Sequence, residues 1–176
     1  MRLSVIAAFA VLLAAPAGAS EPLSEPVPGE WIVATFKQVC VDHLGDRAKL
    51  VEAVSRADPG FAAIDEDPAR PVPGTSGWQS AKATLSYSDG NSLPRALPSP
   101  QCILTARPAA GYDHSITAAA LATALGLAPA KVKGKTGRFT SEWSLAGLKG
   151  EKKRLFLSEQ PGPDGTRVRV SLLNLR

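Results

Sequence analysis

Residues 139–175 read FTSEWSLAGLKGEKKRLFLSEQPGPDGTRVRVSLLNL, and this stretch decides the fold. From Phe139 to Leu145 the residues alternate: Phe139, Ser141, Trp143 and Leu145 share one face, and Thr140, Glu142 and Ser144 the other. Period-two alternation is the mark of a strand with one buried side. Gly147 and Gly150 mark a turn, and a second strand is predicted over 154–158. Pro161-Gly162-Pro163-Asp164-Gly165 is turn chemistry. A third strand follows over 166–175, with Val168, Val170 and Leu172 inward and Arg167 and Arg169 outward. Links this short join only antiparallel neighbours, because parallel strands need a long crossover.

Working outward, Gly111-Tyr112-Asp113 leads into an Ala-rich helix over about 114–125, closed by Gly126 and Pro129. Ile116, Ala119, Ala120, Thr123 and Ala124 are expected on its sheet-facing side. Strands are predicted over 78–87, with Ala81, Ala83, Leu85 and Tyr87 on one face, and over 101–107, with Cys102, Leu104 and Ala106 on one face. Two helices come before them. One runs over 30–44 with a stripe of Trp31, Ile32, Thr35, Phe36, Val39, Cys40 and His43, and the other over 47–57 behind Asp46. The class is α+β: two N-terminal helices, then ββ-α-βββ, a five-stranded antiparallel sheet with helices on one face. The ββ-α-βββ order resembles that of profilin-like and PAS-like sheets. That resemblance implies a fold and no activity.

The chain opens with Arg2, an unbroken run of 11 apolar residues from Val5 to Ala15, then Pro16 and Ala17-Gly18-Ala19. This pattern predicts a secretory signal peptide, residues 1–19, cleaved after Ala19. The run is too short to span a bilayer, which takes about 20 apolar residues. An exported chain, periplasmic or secreted, is expected, with no transmembrane segment once the signal is removed. Residues 20–29, with Pro22, Pro26, Pro28 and Gly29, read as an extended mobile leader, and 30–176 as one α+β domain.

Cys40 and Cys102 are the two cysteines. In an oxidising compartment they are expected to pair. The bridge would close a loop of about 63 residues, which chain entropy values at roughly 4 kcal/mol. Without a Cys-x-x-Cys spacing there is no redox motif.

The net charge of +4 is unevenly placed, with 11 basic and 5 acidic side chains in residues 111–176. Lys131, Lys133, Lys135 and Arg138 form one cluster, and Lys149, Lys152, Lys153 and Arg154 a second. Such asymmetry marks a solvated face or an anionic partner. Gly134-Lys135-Thr136 resembles the end of a P-loop, but Pro129 stands where the leading Gly belongs, and a strand follows where a helix should. Ser76 in Gly74-Thr75-Ser76-Gly77 has neither the spacing nor the context of a nucleophile elbow. No cofactor and no nucleic acid are implied.

The stretches 59–77 and 88–100 are long and Pro-rich, and long loops are often binding loops. If they meet, they frame a site around Trp78 and Tyr87, with Trp78 partly exposed. The leading expectation is an exported, non-catalytic binding or accessory module of the cell envelope. Its basic C-terminal half would contact an anionic envelope component or an acidic protein. The alternative is a small periplasmic hydrolase or metal-dependent enzyme using His43 or His114 with a neighbouring carboxylate, Asp42 or Asp113. The sequence leaves the oligomeric state open.

Overall fold

The computed structural model describes residues 23–58, 60–64, 74–90, 100–146 and 152–175. The predicted signal peptide lies outside these residues, as does most of the two long loops. In chain order the elements are α1 (Gly29–Phe36), a π-helical segment (Lys37–Val41), α2 (Arg47–Ala57), β1 (Ala62–Ala63), β2 (Thr75–Gln79), β3 (Ala83–Ser88) and β4 (Gln101–Ala106). They continue with α3 (His114–Ala124), β5 (Lys133–Lys135), β6 (Arg138–Ala146), β7 (Lys152–Gly162) and β8 (Gly165–Leu175). All eight strands form one antiparallel sheet in the order β1-β2-β3-β4-β8-β7-β6-β5.

The α+β class holds, while the five-stranded sheet becomes eight-stranded and the profilin-like or PAS-like element order is not reproduced. Each added strand has a local cause. The predicted strand 78–87 is a hairpin, β2–β3, because Ser80 turns the chain. Its hydroxyl accepts from the N–H groups of Lys82 and Ala83, both at 3.2 Å, while the Ser80 N–H donates to the Ala83 carbonyl at 2.8 Å. A serine hydroxyl here replaces the glycine or asparagine that usually signals a turn. β5 folds back on β6 through Thr136 (φ 47°) and Gly137 (φ 70°), both in the left-handed region that the commonest two-residue hairpin requires. β1 adds two residues at the far edge.

The inner face of the sheet is a set of transverse rows. One runs Leu85–Leu104–Val170–Leu157–Ser141, and the next Tyr87–Cys102–Leu172–Leu155–Trp143. All of these residues are buried. Ile32, Phe36, Val39, Cys40, Leu50, Val54 and Leu121 from the helical segments join them in one core. The first predicted helix is broken into α1 and the π segment, where Val39 and Cys40 are both fully buried. Cys40 bonds to Cys102 (Cα–Cα 5.6 Å), tying the π segment to β4.

The face expected for α3 is corrected. The helix buries His114, Thr117, Ala118, Leu121 and Ala122, and Ile116 is 65% exposed. In a helix of small residues the apolar stripe is too faint to orient it. The described part of the leader, expected to be mobile, is tied down, and Gly29 already belongs to α1. Val27 donates to Arg107 O and accepts from Ala109 N, and Leu23 and Glu25 donate to the Ser80 and Ala81 carbonyls.

Candidate functional site

Residues on the opposite side of each strand form the helix-free face. Direct pairing makes a row of Gln79, Thr84, Thr105, Arg169, Ser158, Thr140 and Lys133 across seven strands. Beside it, Ser86, Ile103, Ser171, Phe156 and Glu142 form a row that is less polar at its centre. At one corner Lys135 pairs with Arg138, and Gln160 with Arg167. Lys133, Lys135, Arg138 and Arg169 are exposed. Glu142 is the single described carboxylate in these rows, and Arg154 holds it at 3.1 Å. Arg167 is tied to Asp164 at 2.9 Å. A shallow hollow of about 350 Å³ opens here, lined by Arg138, Thr140, Ser158, Glu159, Gln160 and Pro161.

The two basic clusters read from the sequence therefore separate. Lys133, Lys135, Arg138 and Arg154 share the helix-free face, since strand neighbours alternate sides. Lys131 is exposed just before β5. Lys153 points the other way, into a hollow with Asp42, His43 and Asn174. Lys149 and the side chain of Lys152 lie outside the described residues.

Trp78 and Tyr87 do not form an open site. Trp78, expected to be partly exposed, is 7% exposed, and Tyr87 is 2% exposed, both inside the core. Burial, with Asp89 nearby, raises the Tyr87 hydroxyl above its usual range. The reason lies in the hairpin: Trp78 pairs directly with Leu85, on the inner face.

The histidines do not converge. His43 shares its hollow with Lys153, and His114 lies beside Glu159. Lys153 and Glu159 are six residues apart on β7, about 20 Å at strand rise. A shared two-histidine centre is thereby excluded, and among the described residues no group of three potential metal ligands occurs. Asp113, the sequence neighbour of His114, caps α3. Its carboxylate accepts from the N–H groups of Ser115 (2.7 Å) and Ile116 (3.1 Å), and its pKa is lowered by the Ser115 hydroxyl and these amides.

His114 itself is buried at the start of α3. Its Nε2 lies 3.1 Å from Ser141 Oγ, and its Nδ1 lies 3.8 Å from Glu159 Oε2. The second distance is too long for a hydrogen bond. Burial pulls the imidazolium pKa below its usual value, and burial with Asp113 raises that of Glu159. The order Ser–His–Glu is that of a hydrolytic triad. Ser141, however, is fully buried in a core row, and it does not line the neighbouring hollow that His114 and Glu159 share. The serine serves as the histidine's polar partner inside the core. Sequence reading missed Ser141 and Glu159 as members of this cluster. The available signal was a serine among the inward residues Phe139, Trp143 and Leu145, since a buried hydroxyl needs a partner.

Among the described residues no helix is long and apolar enough to cross a membrane. Comparison with protein-family models, with curated proteins and with solved structures finds no match to this chain.

Proposed function

We propose that this chain is an exported binding module of the cell envelope that acts without catalysis and engages an anionic envelope component through its helix-free sheet face. The observation that carries this reading is the register. Lys133, Lys135, Arg138 and Arg169 share that face, Glu142, the one described carboxylate in its rows, is already paired, and Glu159, which also lines the hollow, lies against His114. Interspersed hydroxyls of Thr105, Thr140 and Ser158 add hydrogen-bonding capacity for oxyanions. The buried disulfide and the sequence pattern of residues 1–19 support export.

The test is co-sedimentation of the full chain with phosphatidylglycerol vesicles, alongside retention on heparin as a generic polyanion. Binding should fall as ionic strength rises from about 0.01 to about 1 M, where the screening length shrinks from ~30 to ~3 Å. Combined Lys133→Glu, Arg138→Glu and Arg169→Glu changes should abolish it. Lys153→Glu, a charge change on the opposite face, should leave it nearly intact. Binding to neither polyanion, or equal loss with Lys153→Glu, would defeat the proposal. Retention on an acidic protein alone would move the partner from the envelope to a protein surface.

A further inference from the structure

The hollow beside His114 has a chemistry of its own, opposite in sign to the basic face. It measures about 300 Å³ and is lined by Tyr112, Asp113, His114, Ser115, Val132, Phe139 and Glu159. That volume is at the small end of ligand pockets. His114 is 5% exposed, and its buried Nδ1 has no hydrogen-bond partner. A buried polar atom left without a partner is costly and calls for an explanation.

The surroundings indicate what would satisfy it. Glu159 Oε2 stands 3.8 Å from that nitrogen, and both residues line the hollow. A donor carrying two or more N–H groups would satisfy both at once, after a small rotation of the ring that opens the buried nitrogen to the hollow. The Ser141 hydroxyl at Nε2 can donate or accept, so the ring can present a lone pair at Nδ1 without losing its inner bond. The Phe139 ring lies 5.7 Å from the imidazole, and Phe139 and Tyr112 supply aromatic faces of the kind that attract cations. An anion is disfavoured. The N-terminus of α3 offers about half a positive charge, against the two carboxylates of Asp113 and Glu159.

We propose that this hollow is a binding site for an alkylammonium group, which donates one N–H to His114 Nδ1 and another to Glu159 while its carbon chain lies against Phe139 and Val132. The same chemistry comes from a free amine or from a lysine side chain of a partner. Binding here does not rest on anion binding at the sheet face, although Glu159 lines the hollows of both.

The experiment follows the His114 ring nitrogens by long-range proton–nitrogen NMR in the full chain. One arm adds n-butylammonium chloride, and the other the blocked tripeptide acetyl-Gly-Lys-Gly-amide. Each goes to ~100 mM, enough to fill a site with a Kd near 10 mM. Sodium chloride and tetramethylammonium chloride, a cation without N–H groups, serve as controls. A saturable shift at Nδ1 that the controls do not reproduce is expected. Glu159→Gln should weaken it at least tenfold. Val132→Trp, which fills the hollow from its rim and leaves His114 and Ser141 in place, should abolish it. Tighter binding of the peptide would identify a partner's lysine, and tighter binding of butylammonium a free amine. No saturable shift from either, the same shift from the controls, or undiminished binding by either variant would overturn the proposal.

Discussion

His114 and Ser141 meet at 3.1 Å inside the core, where Ser141 ends an inner-face row that runs through Leu85, Leu104, Val170 and Leu157. Each is the other's reason for being tolerated there. Ser141→Ala should therefore cost about 1–3 kcal/mol, the penalty for leaving a buried ring nitrogen without its bond. The double change Ser141→Ala with His114→Phe should recover part of that loss, because no polar group remains unpaired. Urea denaturation of the three variants checks this. Additive losses in the double variant would show that the pair is not coupled.

Acid should act on this cluster in two opposing ways. Burial depresses the His114 pKa, so the unfolded chain takes the proton first as pH falls below about 6.5. Stability is thus lost from there down to the folded-state value. Burial raises the Glu159 pKa, so its contribution has the reverse sign. It is present below about 4.5 and lost as pH rises through the folded-state value. In Glu159→Gln the histidine acts alone, and the loss of stability from pH 7.5 to 5 should be steeper than in the parent. Denaturant midpoints at the two pH values measure it. An equal or shallower loss would contradict the burial argument.

The Cys40–Cys102 bridge spans a sequence separation of 62. Replacing both cysteines by alanine should lower stability by roughly 4 kcal/mol through the freed unfolded chain. Amide exchange should rise first in the π segment Lys37–Val41, which the bridge fastens to β4. A loss below about 1 kcal/mol would mean that packing of Val39 and Phe36 already holds the segment.

Gly134 sits at φ 119°, and a Cβ there would collide with the Arg138 carbonyl oxygen. Gly134→Ala should lift β5 off β6. Global stability should change little, because Lys133–Lys135 is an exposed edge strand. Polyanion affinity should fall, because Lys133 and Lys135 leave their places beside Arg138. Faster amide exchange at the β5–β6 pairing with an unchanged denaturant midpoint is the expected result. A wild-type exchange pattern would show that the backbone absorbs the collision.

The faces of β3, β4, β6 and β8 were legible because one-sided burial writes period two directly into the residues, as at Cys102, Leu104 and Ala106. Other features were not legible, for separate physical reasons. The β2–β3 turn is made by a hydroxyl at Ser80 and carries no glycine signal. The α3 face was misread because Ala119 and Ala118 look alike in sequence, and only the packing decides between them. The basic residues were grouped by adjacency, yet Lys153 and Arg154 project from opposite sides of β7. The cluster of His114, Ser141 and Glu159 depends on three elements meeting, which no local pattern records.

β4 and β8 are neighbours at the centre of the sheet, with β1–β4 in line on one side and β7, β6 and β5 on the other. The sheet is therefore two meanders joined along a single seam, Gln101–Ala106 against Val168–Leu173. The disulfide and all the described helical segments except α3 belong to the first meander. A chain delivered N-terminus first can assemble that half and oxidise its cysteines early. It cannot close the seam until its last strand arrives. Until then the open flank of β4 carries Cys102, Leu104 and Ala106 beside unpaired backbone, a template for pairing with another chain. The final strand is thus both the keystone of the sheet and the guard on its most adhesive edge.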